Sequence, residues 1–512
     1  VNTLSEQLHI PLIDLKQYSL DNELVKRMPE AYARRFRAII LEEKSSGYLI
    51  AMSNPLDINA VDEIRRVLES PVELAITKKD DLLHTLDLIY RRTDDISTFA
   101  EKLGEELSTD IPFAEFETDD DTITDTPVIN LLQSVFEDAI QVGASDVHFE
   151  PDEDFLRLRL RVDGILHEQI VKEKEIAPAI ALRLKLMSAL DIAEKRIPQD
   201  GRFNIKVRNR VIDVRLSTMP TQFGESIVMR LLDQSGGALD LGKIGMSKEV
   251  LKRFRVLVKK PHGIFLVTGP TGSGKSTTLY GALKELNDPG TKIISIEDPV
   301  EYRMPRINQV QINEKLHLDF SLVLRTALRH DPDIIMLGEM RDKETATVAI
   351  RSALTGHMVL STLHTNDSAS SAFRLVDMDI DGFLVAATLR GVLAQRLVRK
   401  NCEGCVADYT LTDAEKIWLD GMDDFDLTKA TFKQGKGCTY CNKTGYKGRS
   451  GVFELLELNE VMMQALRNND PSTFASEAAK SLKGRLLCDY ALDLASKGIT
   501  SLEEVIRITG EL

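Results

Sequence analysis

Gly263-Ile-Phe-Leu-Val-Thr268 runs straight into Gly269-Pro-Thr-Gly-Ser-Gly-Lys-Ser276, a buried-strand pattern followed at once by a glycine-rich loop. The loop matches G-x-x-x-x-G-K-[ST], and Thr277–Leu286 continues it as a helical pattern. Strand, loop and helix in that order are the context this motif requires. The glycines let backbone N–H groups close around phosphate oxygens, and the helix N-terminus adds its partial positive charge. Gly269, Pro270, Thr271, Gly272, Ser273, Gly274, Lys275, Ser276 and Thr277 are therefore the candidate nucleotide cradle. Lys275 would reach the β- and γ-phosphates and Ser276 would ligate Mg²⁺.

Three further apolar runs, Ile293–Ile296, Asp333–Leu337 and Met358–Ser361, resemble the first in lacking alternation. Such runs predict a parallel sheet covered on both faces. A nucleotide site on that sheet needs an acid at a neighbouring strand end, and Glu339 stands just beyond Leu337 to orient the Mg²⁺ shell, directly or through water. Glu297, Asp298 and Glu301 follow Ile296, with Pro299 ending the strand. They fall on the C-terminal edge, where open α/β sheets bind ligands, and one of them is a candidate general base for the attacking water. His357 and His364 flank Met358–Thr362; His364, on the C-terminal side, is the candidate γ-phosphate sensor.

Further along, Cys402-Glu-Gly-Cys405 and Cys438-Thr-Tyr-Cys441 form two C-x₂-C pairs. Four thiolates suit a closed, tetrahedral structural Zn²⁺. The gap between the pairs exceeds the usual ~15–20 residues, which predicts an inserted helical excursion. Cys488 stands alone and is expected to be buried.

Upstream, residues 1–98 mix apolar runs such as Tyr48–Met52 with amphipathic stretches such as Asp57–Leu68, as in a small α/β or α+β domain. Residues 99–127, rich in Asp, Glu and Thr (Phe113-Ala-Glu-Phe-Glu-Thr-Asp-Asp-Asp121), predict an extended, self-repelling linker. Residues 128–240 open with an amphipathic helix, Val128–Val142. Leu156-Arg-Leu-Arg-Leu-Arg-Val162 then alternates strictly, a strand with one apolar and one basic face, and Asp163-Gly164 predicts a hairpin turn. The third domain spans residues 241–512.

Composition bounds the rest. The 512 residues are 43% hydrophobic and 28% charged, which excludes wholesale disorder and fits about three domains. No apolar run approaches the ~20 residues of a membrane span, and no secretory signal opens the chain. Five cysteines make no disulfide scaffold and point to a reducing, cytosolic setting. The sequence begins with Val1, so a truncated front or non-standard initiation is expected. The net charge of −15 is local: Leu103 to Leu156 holds sixteen acidic residues and no Lys or Arg, so the remainder carries +1. A nucleic-acid translocase would want a basic, aromatic-studded channel, against which stand one Trp and 6% aromatics. A non-catalytic ATP binder is disfavoured by intact Lys275, Glu339 and Glu301.

Together, Gly143-Ala-Ser-Asp-Val-His-Phe-Glu-Pro151, the phosphate loop, Ile296-Glu-Asp-Pro-Val-Glu301, Gly338-Glu-Met-Arg-Asp342, Thr355–Thr365 and the four cysteines resemble the ATPases of type II secretion and type IV pilus assembly (the GspE, PilB and MshE group). The resemblance spans nearly the whole chain. It implies a RecA-like P-loop domain with a parallel sheet, carrying a zinc subdomain at about residues 396–450 and preceded by two smaller α/β domains, the second PAS-like. It further implies a cytoplasmic homo-hexamer docked at the inner membrane on a platform protein and a cytoplasmic linker protein, converting ATP hydrolysis into pilin insertion. By the same analogy Glu339 is the Walker B acid, and Glu301, then Glu297, activates water. Arg215 and Arg230 act as arginine fingers, and Arg449 joins the nucleotide contacts. Gly448–Glu457 and Gly498–Glu504 look closest to MSHA-pilus ATPases, with the secretion ATPase proper as the alternative. That branch carries cyclic di-GMP motifs at its extreme N-terminus; Leu4–Leu15 looks like the end of that module, so the motifs are expected to be missing here.

Overall fold

The computed structural model describes residues 2–18, 20–90, 93–108, 127–207, 210–233, 240–313, 316–422 and 430–510. The chain divides into two compact units, residues 1–235 with 402–405 and 436–445, and residues 236–401 with 406–435 and 446–512.

The first unit contains two sheets with separate cores. β1 (Ala38–Lys44), β2 (Gly47–Met52) and β3 (Val72–Ile76) form a three-stranded sheet, β1 antiparallel and β3 parallel to β2. The helix Ile58–Leu68 makes the β2–β3 crossover, capped by Asp57, whose carboxylate accepts from Ala60 N–H. β4 (Ala144–Pro151), β5 (Leu156–Val162), β6 (Ile165–Val171), β7 (Gln199–Val207), β8 (Arg210–Thr221) and β9 (Gly224–Asp233) form an antiparallel sheet ordered β6-β5-β4-β9-β8-β7. Helices Pro127–Val142 and Ala177–Met187 supply its core with Leu131, Val135, Ile180 and Leu184. The β5–β6 hairpin forms as the sequence predicts: Asp163 (φ 48°) and Gly164 (φ 89°) both take positive φ, as a two-residue primed turn requires.

The extended linker is overturned at its front. Thr93–Ser108 is helical, and Ile96, Ala100 and Leu103 are buried in the core of the six-stranded sheet. These apolar residues recur at helical spacing, while Glu101 and Glu105 stay exposed; acidity averaged over the segment hides the stripe. Residues 109–126 of that predicted linker lie outside the described residues.

In the second unit β10 (Gly263–Thr268), β11 (Ile293–Glu297), β12 (Ile307–Gln311), β13 (Ile334–Leu337), β14 (Met358–Leu363), β15 (Leu389–Asn401) and β18 (Tyr446–Glu457) order as β12-β11-β13-β14-β10-β15-β18. All pairs are parallel except β15–β18. Every residue of β10, β11, β13 and β14 is buried. Alternate residues feed two cores, Ile264, Leu266, Ile294 and Leu337 on one face and Phe265, Val267, Ile293 and Met336 on the other. Each such buried side chain contributes about 1.5–3 kcal/mol. A short pair, β16 (Val406–Asp408) and β17 (Lys433–Gly435), flanks the helix Asp413–Asp420, the excursion predicted between the cysteine pairs.

β15 is tied to the C-terminal helix Leu502–Thr509 by a buried ion pair. Arg399 Nη2 lies 2.7 Å from Glu504 Oε1, Arg399 N–H donates to Oε2 at 2.7 Å, and Arg507 Nε lies 2.8 Å from Oε1. The Arg399 guanidinium also stacks 4.0 Å from the Tyr446 ring centroid. Burial pushes the Glu504 carboxyl up, but its bonds to Arg507 and Arg399 outweigh that and hold it below its ordinary 4.5. A depressed folded value stabilises above pH 4.5 and fades as pH falls through the folded value. Arg399→Ala leaves the buried carboxylate to Arg507 and the residue 399 N–H and is expected to weaken this anchor by about 1.5–3 kcal/mol, the worth of a hydrogen bond to a charged group. Hydrogen exchange of Leu502–Thr509 checks it; unchanged protection at neutral pH would contradict the anchor.

Candidate nucleotide site

The sheet sets out the site along one edge. β10 ends in the phosphate loop, β14 beside it ends before His364, β13 before Glu339, and β11 before the acidic turn Asp298–Glu301. All the catalytic and cradle candidates of residues 263–367 thus share the C-terminal edge of one parallel sheet.

The loop's shape is braced from β15. Gln395 Nε2 donates to Ser273 O at 2.7 Å, and Thr278 Oγ1 donates to Gln395 Oε1 at 2.7 Å. A Cβ on Gly269 (φ 146°) would stand 2.4 Å from Gln395 O, and one on Gly274 (φ 88°) 2.7 Å from Gln395 Nε2. Glycine is required at both positions by conformation and by space. Ser273 Oγ is buried without a hydrogen-bond partner, which suits a cradle whose polar groups are completed by phosphate. Lys275 Nζ donates to Gly269 O at 2.8 Å and Pro270 O at 3.1 Å. Burial lowers its ammonium pKa; Glu339 opposes that and Arg396 adds to it.

Glu339 sits in a cationic setting. Arg341 is hydrogen-bonded to it, and His364 Nε2 lies 3.3 Å from its Oε2. Burial would raise this carboxyl, but Arg341 and then His364 overcome it, and the net shift is downward. Glu339 is therefore ionised at neutral pH, the form a hard cation needs. Arg341 also reaches Asp298 at 3.5 Å. With Ser276 exposed at the loop's end, the hydroxyl and carboxylate form an all-oxygen donor set that fits Mg²⁺.

The two candidate bases differ. Glu297 is 3% exposed, and its carboxylate takes bonds from Tyr280, Ser295 and Gln309. The same Tyr280 hydroxyl accepts from Glu301 N–H at 3.1 Å, so Glu297 and Tyr280 together position the turn on which half-buried Glu301 sits. His357 serves the fold: its Nδ1 lies 2.9 Å from Ser352 O.

The sulfurs of Cys402, Cys405, Cys438 and Cys441 lie within 4.8 Å of one another, with Cys402–Cys438, Cys405–Cys441 and Cys438–Cys441 each at 3.8 Å. A tetrahedron of ~2.3 Å Zn–S bonds has sulfur–sulfur edges of about 3.8 Å. Gly437 N–H donates to Cys405 Sγ at 3.3 Å and Gly445 N–H to Cys441 Sγ at 3.2 Å, contacts that favour thiolates. Cys488 is half-buried, not buried as expected.

Residues 121–507 match the family described as type II/IV secretion system protein. The chain belongs to this secretion ATPase family. The type II secretion system ATPase E of Vibrio cholerae serotype O1 is 40% identical over 503 residues, covering 96% of this chain and 98% of that protein. The type IV pilus assembly ATPase PilB of Myxococcus xanthus is 37% identical over 509 residues, covering 98% and 89%. The pilus retraction motor PilT, solved with bound ADP, superposes with a TM-score of 0.51 at 26% identity, over 74% of this chain and 96% of PilT. Residues 8–96 match the MshEN domain, so the match begins within Leu4–Leu15 and continues well beyond it. No helix among the described residues is long and apolar enough to cross a membrane.

Two sequence-predicted residues of this secretion ATPase lie in the first unit. Arg215 and Arg230 are direct cross-strand partners on β8 and β9, so they share a face. The row extends to Arg202 on β7, opposite Arg215, and through Asp146 on β4 to Arg161 on β5. Arg230 Nε donates to Asp146 at 3.1 Å, and Arg202 Nε donates to Asp213 at 2.5 Å. Sequence reading missed Arg202 and Gln395. The repeated one-face register of β7–β9 is the signal for the first; the second carries none, because its partners lie 122 and 117 residues away. Arg449 lies on β18 opposite Arg399, four positions from the Phe453 that faces Gln395.

Gln395→Leu removes the brace and leaves Ser273 O and Thr278 Oγ1 unpaired. It is expected to weaken nucleotide binding about tenfold, the effect of ~1–2 kcal/mol. Equilibrium titration with a fluorescent ATP analogue measures it; wild-type affinity would refute the brace.

Proposed function

We infer that this chain hydrolyses ATP to drive assembly of a type IV-like pilus or a secretion pseudopilus, working as a hexamer at the inner membrane with a platform protein and a cytoplasmic linker protein. The observation that carries the reading is the phosphate loop and the ionised Glu339 on one edge of one sheet. Backbone N–H groups of Gly272–Ser276 and the helix Lys275–Leu286 receive the β- and γ-phosphates. Lys275, desolvated and held by two loop carbonyls, exchanges those acceptors for phosphate oxygens. Ser276 and Glu339 would hold and orient Mg²⁺, which would supply charge neutralisation at the phosphates.

Glu301 is the proposed base that orients and deprotonates the attacking water; Glu297, its carboxylate already taken by three donors, serves instead to fix the turn. His364, in contact with Glu339, reads the γ-phosphate. Arg215 and Arg230 would stabilise transition-state charge when brought to a nucleotide, the role of arginine fingers. The four cysteines would hold Zn²⁺, which would serve to fix the fold around them. Relatives carry both secretion and pilus names, and 40% identity to a secretion ATPase makes type II secretion the second reading.

Lys275→Ala and Glu339→Gln are each expected to lower phosphate release at least 100-fold with the fold retained by circular dichroism. Turnover persisting in both would sink the catalytic assignment. Elemental analysis is expected to find one zinc per chain; protein prepared without chelators and lacking it would refute the metal site.

A further inference from the structure

The N-terminal module and the cysteine knuckle meet within the first unit at a surface built from both C-x₂-C turns. On the module, Ile13 N–H donates to Ile76 O at 2.8 Å and Ile76 N–H to Pro11 O at 2.9 Å, so residues 11–13 extend the edge of β3. The turn that follows presents Lys16, whose Nζ lies 2.9 Å from Glu403 Oε2 and 3.5 Å from Asp81 Oδ1. Glu403 stands between Cys402 and Gly404, inside the first ligand turn. A Cβ on Gly404 would lie 2.6 Å from Lys16 O, so the two backbones are in contact there. In the second ligand turn, the Tyr440 ring packs edge-on against His84 of the helix Lys79–Ile89, centroids 4.5 Å apart at 82°. Lys16 Nζ stands 5.7 Å from the same ring centroid.

Lys16 therefore touches both halves of the knuckle, Glu403 from one ligand turn and Tyr440 from the other. Their separation depends on what joins the turns. Cys402 N–H to Gly445 O at 2.9 Å and Lys436 N–H to Cys405 O at 3.0 Å are backbone ties, and the four sulfurs are the stronger one once bridged by metal. We propose that the metal-loaded knuckle is the docking socket of this chain's own N-terminal module, with Lys16 as its latch. Metal occupancy sets the spacing of Glu403 and Tyr440 and so holds or releases the module. A partly exposed ion pair and one edge-on ring pair are each weak, so the docking is reversible. The occupant is fixed by charge and shape already on the surface: a cation between Glu403 and Asp81, and a ring against Tyr440. The metal half rests on the zinc assignment above; the contact half does not.

Hydrogen exchange on the full-length chain tests it, with zinc content measured for every sample. Lys16→Ala and Tyr440→Ala are each expected to speed exchange in residues 14–17 and 79–87 about five- to tenfold, with β1 and β2 unchanged as the control for a folded module. Lys16→Ala combined with Glu403→Ala should be no faster than Lys16→Ala alone, because the contact Glu403 makes is with Lys16. Chelation of zinc should reproduce the effect, and zinc re-addition should reverse it. Wild-type exchange in both single variants overturns the docking. Zinc loss without faster exchange at 14–17 overturns metal control while leaving the contact standing. A chain purified without zinc overturns the metal assignment itself, and the variant arms still read the docking.

Discussion

A buried amide holds the phosphate loop in place. Gln395, 2% exposed, bonds through its two amide ends to Ser273 O before the helix and to Thr278 within it. The loop turns on three glycines in positive-φ conformations, Gly269, Gly272 and Gly274, residues that lose the most conformational freedom on folding. Bonds made in a site excluded from water are stronger than the same bonds on a surface, and unpaired they cost more. The rest of the site inherits this geometry, since Lys275 and Ser276 are placed by the first turn of the helix that Thr278 belongs to. β15 pairs directly with β10, and that register carries the Gln395 side chain to the loop.

The acids of the site are sorted by what surrounds them. Glu297 ends β11 and Glu339 follows its neighbour β13, yet one is wrapped by neutral donors and the other by cations. Hydrogen bonds from Tyr280, Ser295 and Gln309 occupy both oxygens of Glu297 and tie it into the scaffold. Arg341 and His364 leave Glu339 charged and half-open, fit to bind a cation that would displace Arg341 from it. Burial alone would have driven the Glu339 carboxyl toward neutrality, and Arg341 and His364 reverse that; the identity of the neighbours, neutral donors at Glu297 and cations at Glu339, separates the two acids.

The parts of the sheet that sequence reveals are those buried on both faces. β10, β11, β13 and β14 read as unbroken apolar runs because each of their side chains is in a core. β15 and β18 are not legible that way. Leu389–Asn401 contains Arg390, Gln395, Arg396 and Arg399, all satisfied by partners far along the chain, so its pattern imitates a polar surface segment. The helix Thr93–Ser108 was hidden by composition, since its acidic face outweighs a narrow stripe of Ile96, Ala100 and Leu103. At the site, motif spacing located the loop, Glu339 and the four cysteines. It could not rank Glu297 against Glu301, because a strand-end acid's role depends on hydrogen bonds from Tyr280, which is 17 residues from Glu297.

The basic face of Leu156–Val162 has a different meaning in the folded chain. Arg157 pairs with Asp152, Arg159 with Glu150 and Arg161 with Asp146, so acids at the end of the acidic stretch are neutralised by the strand that follows. Local acidity and local basicity cancel, and neither advertises an anionic or cationic partner. The same interleaving continues along the cross-strand row beyond them. Arg161 and Arg230 share Asp146, while Arg202 and Arg215 share Asp213. Like charges directly opposite one another on a sheet are unfavourable, and Asp146 and Asp213 are the carboxylates that let four guanidiniums stand on one face. Arg215 and Arg230, the pair for which a phosphate-directed role is proposed, are therefore held in direct register by acids of their own sheet, and a charge-assisted bond to phosphate would have to compete with those carboxylates.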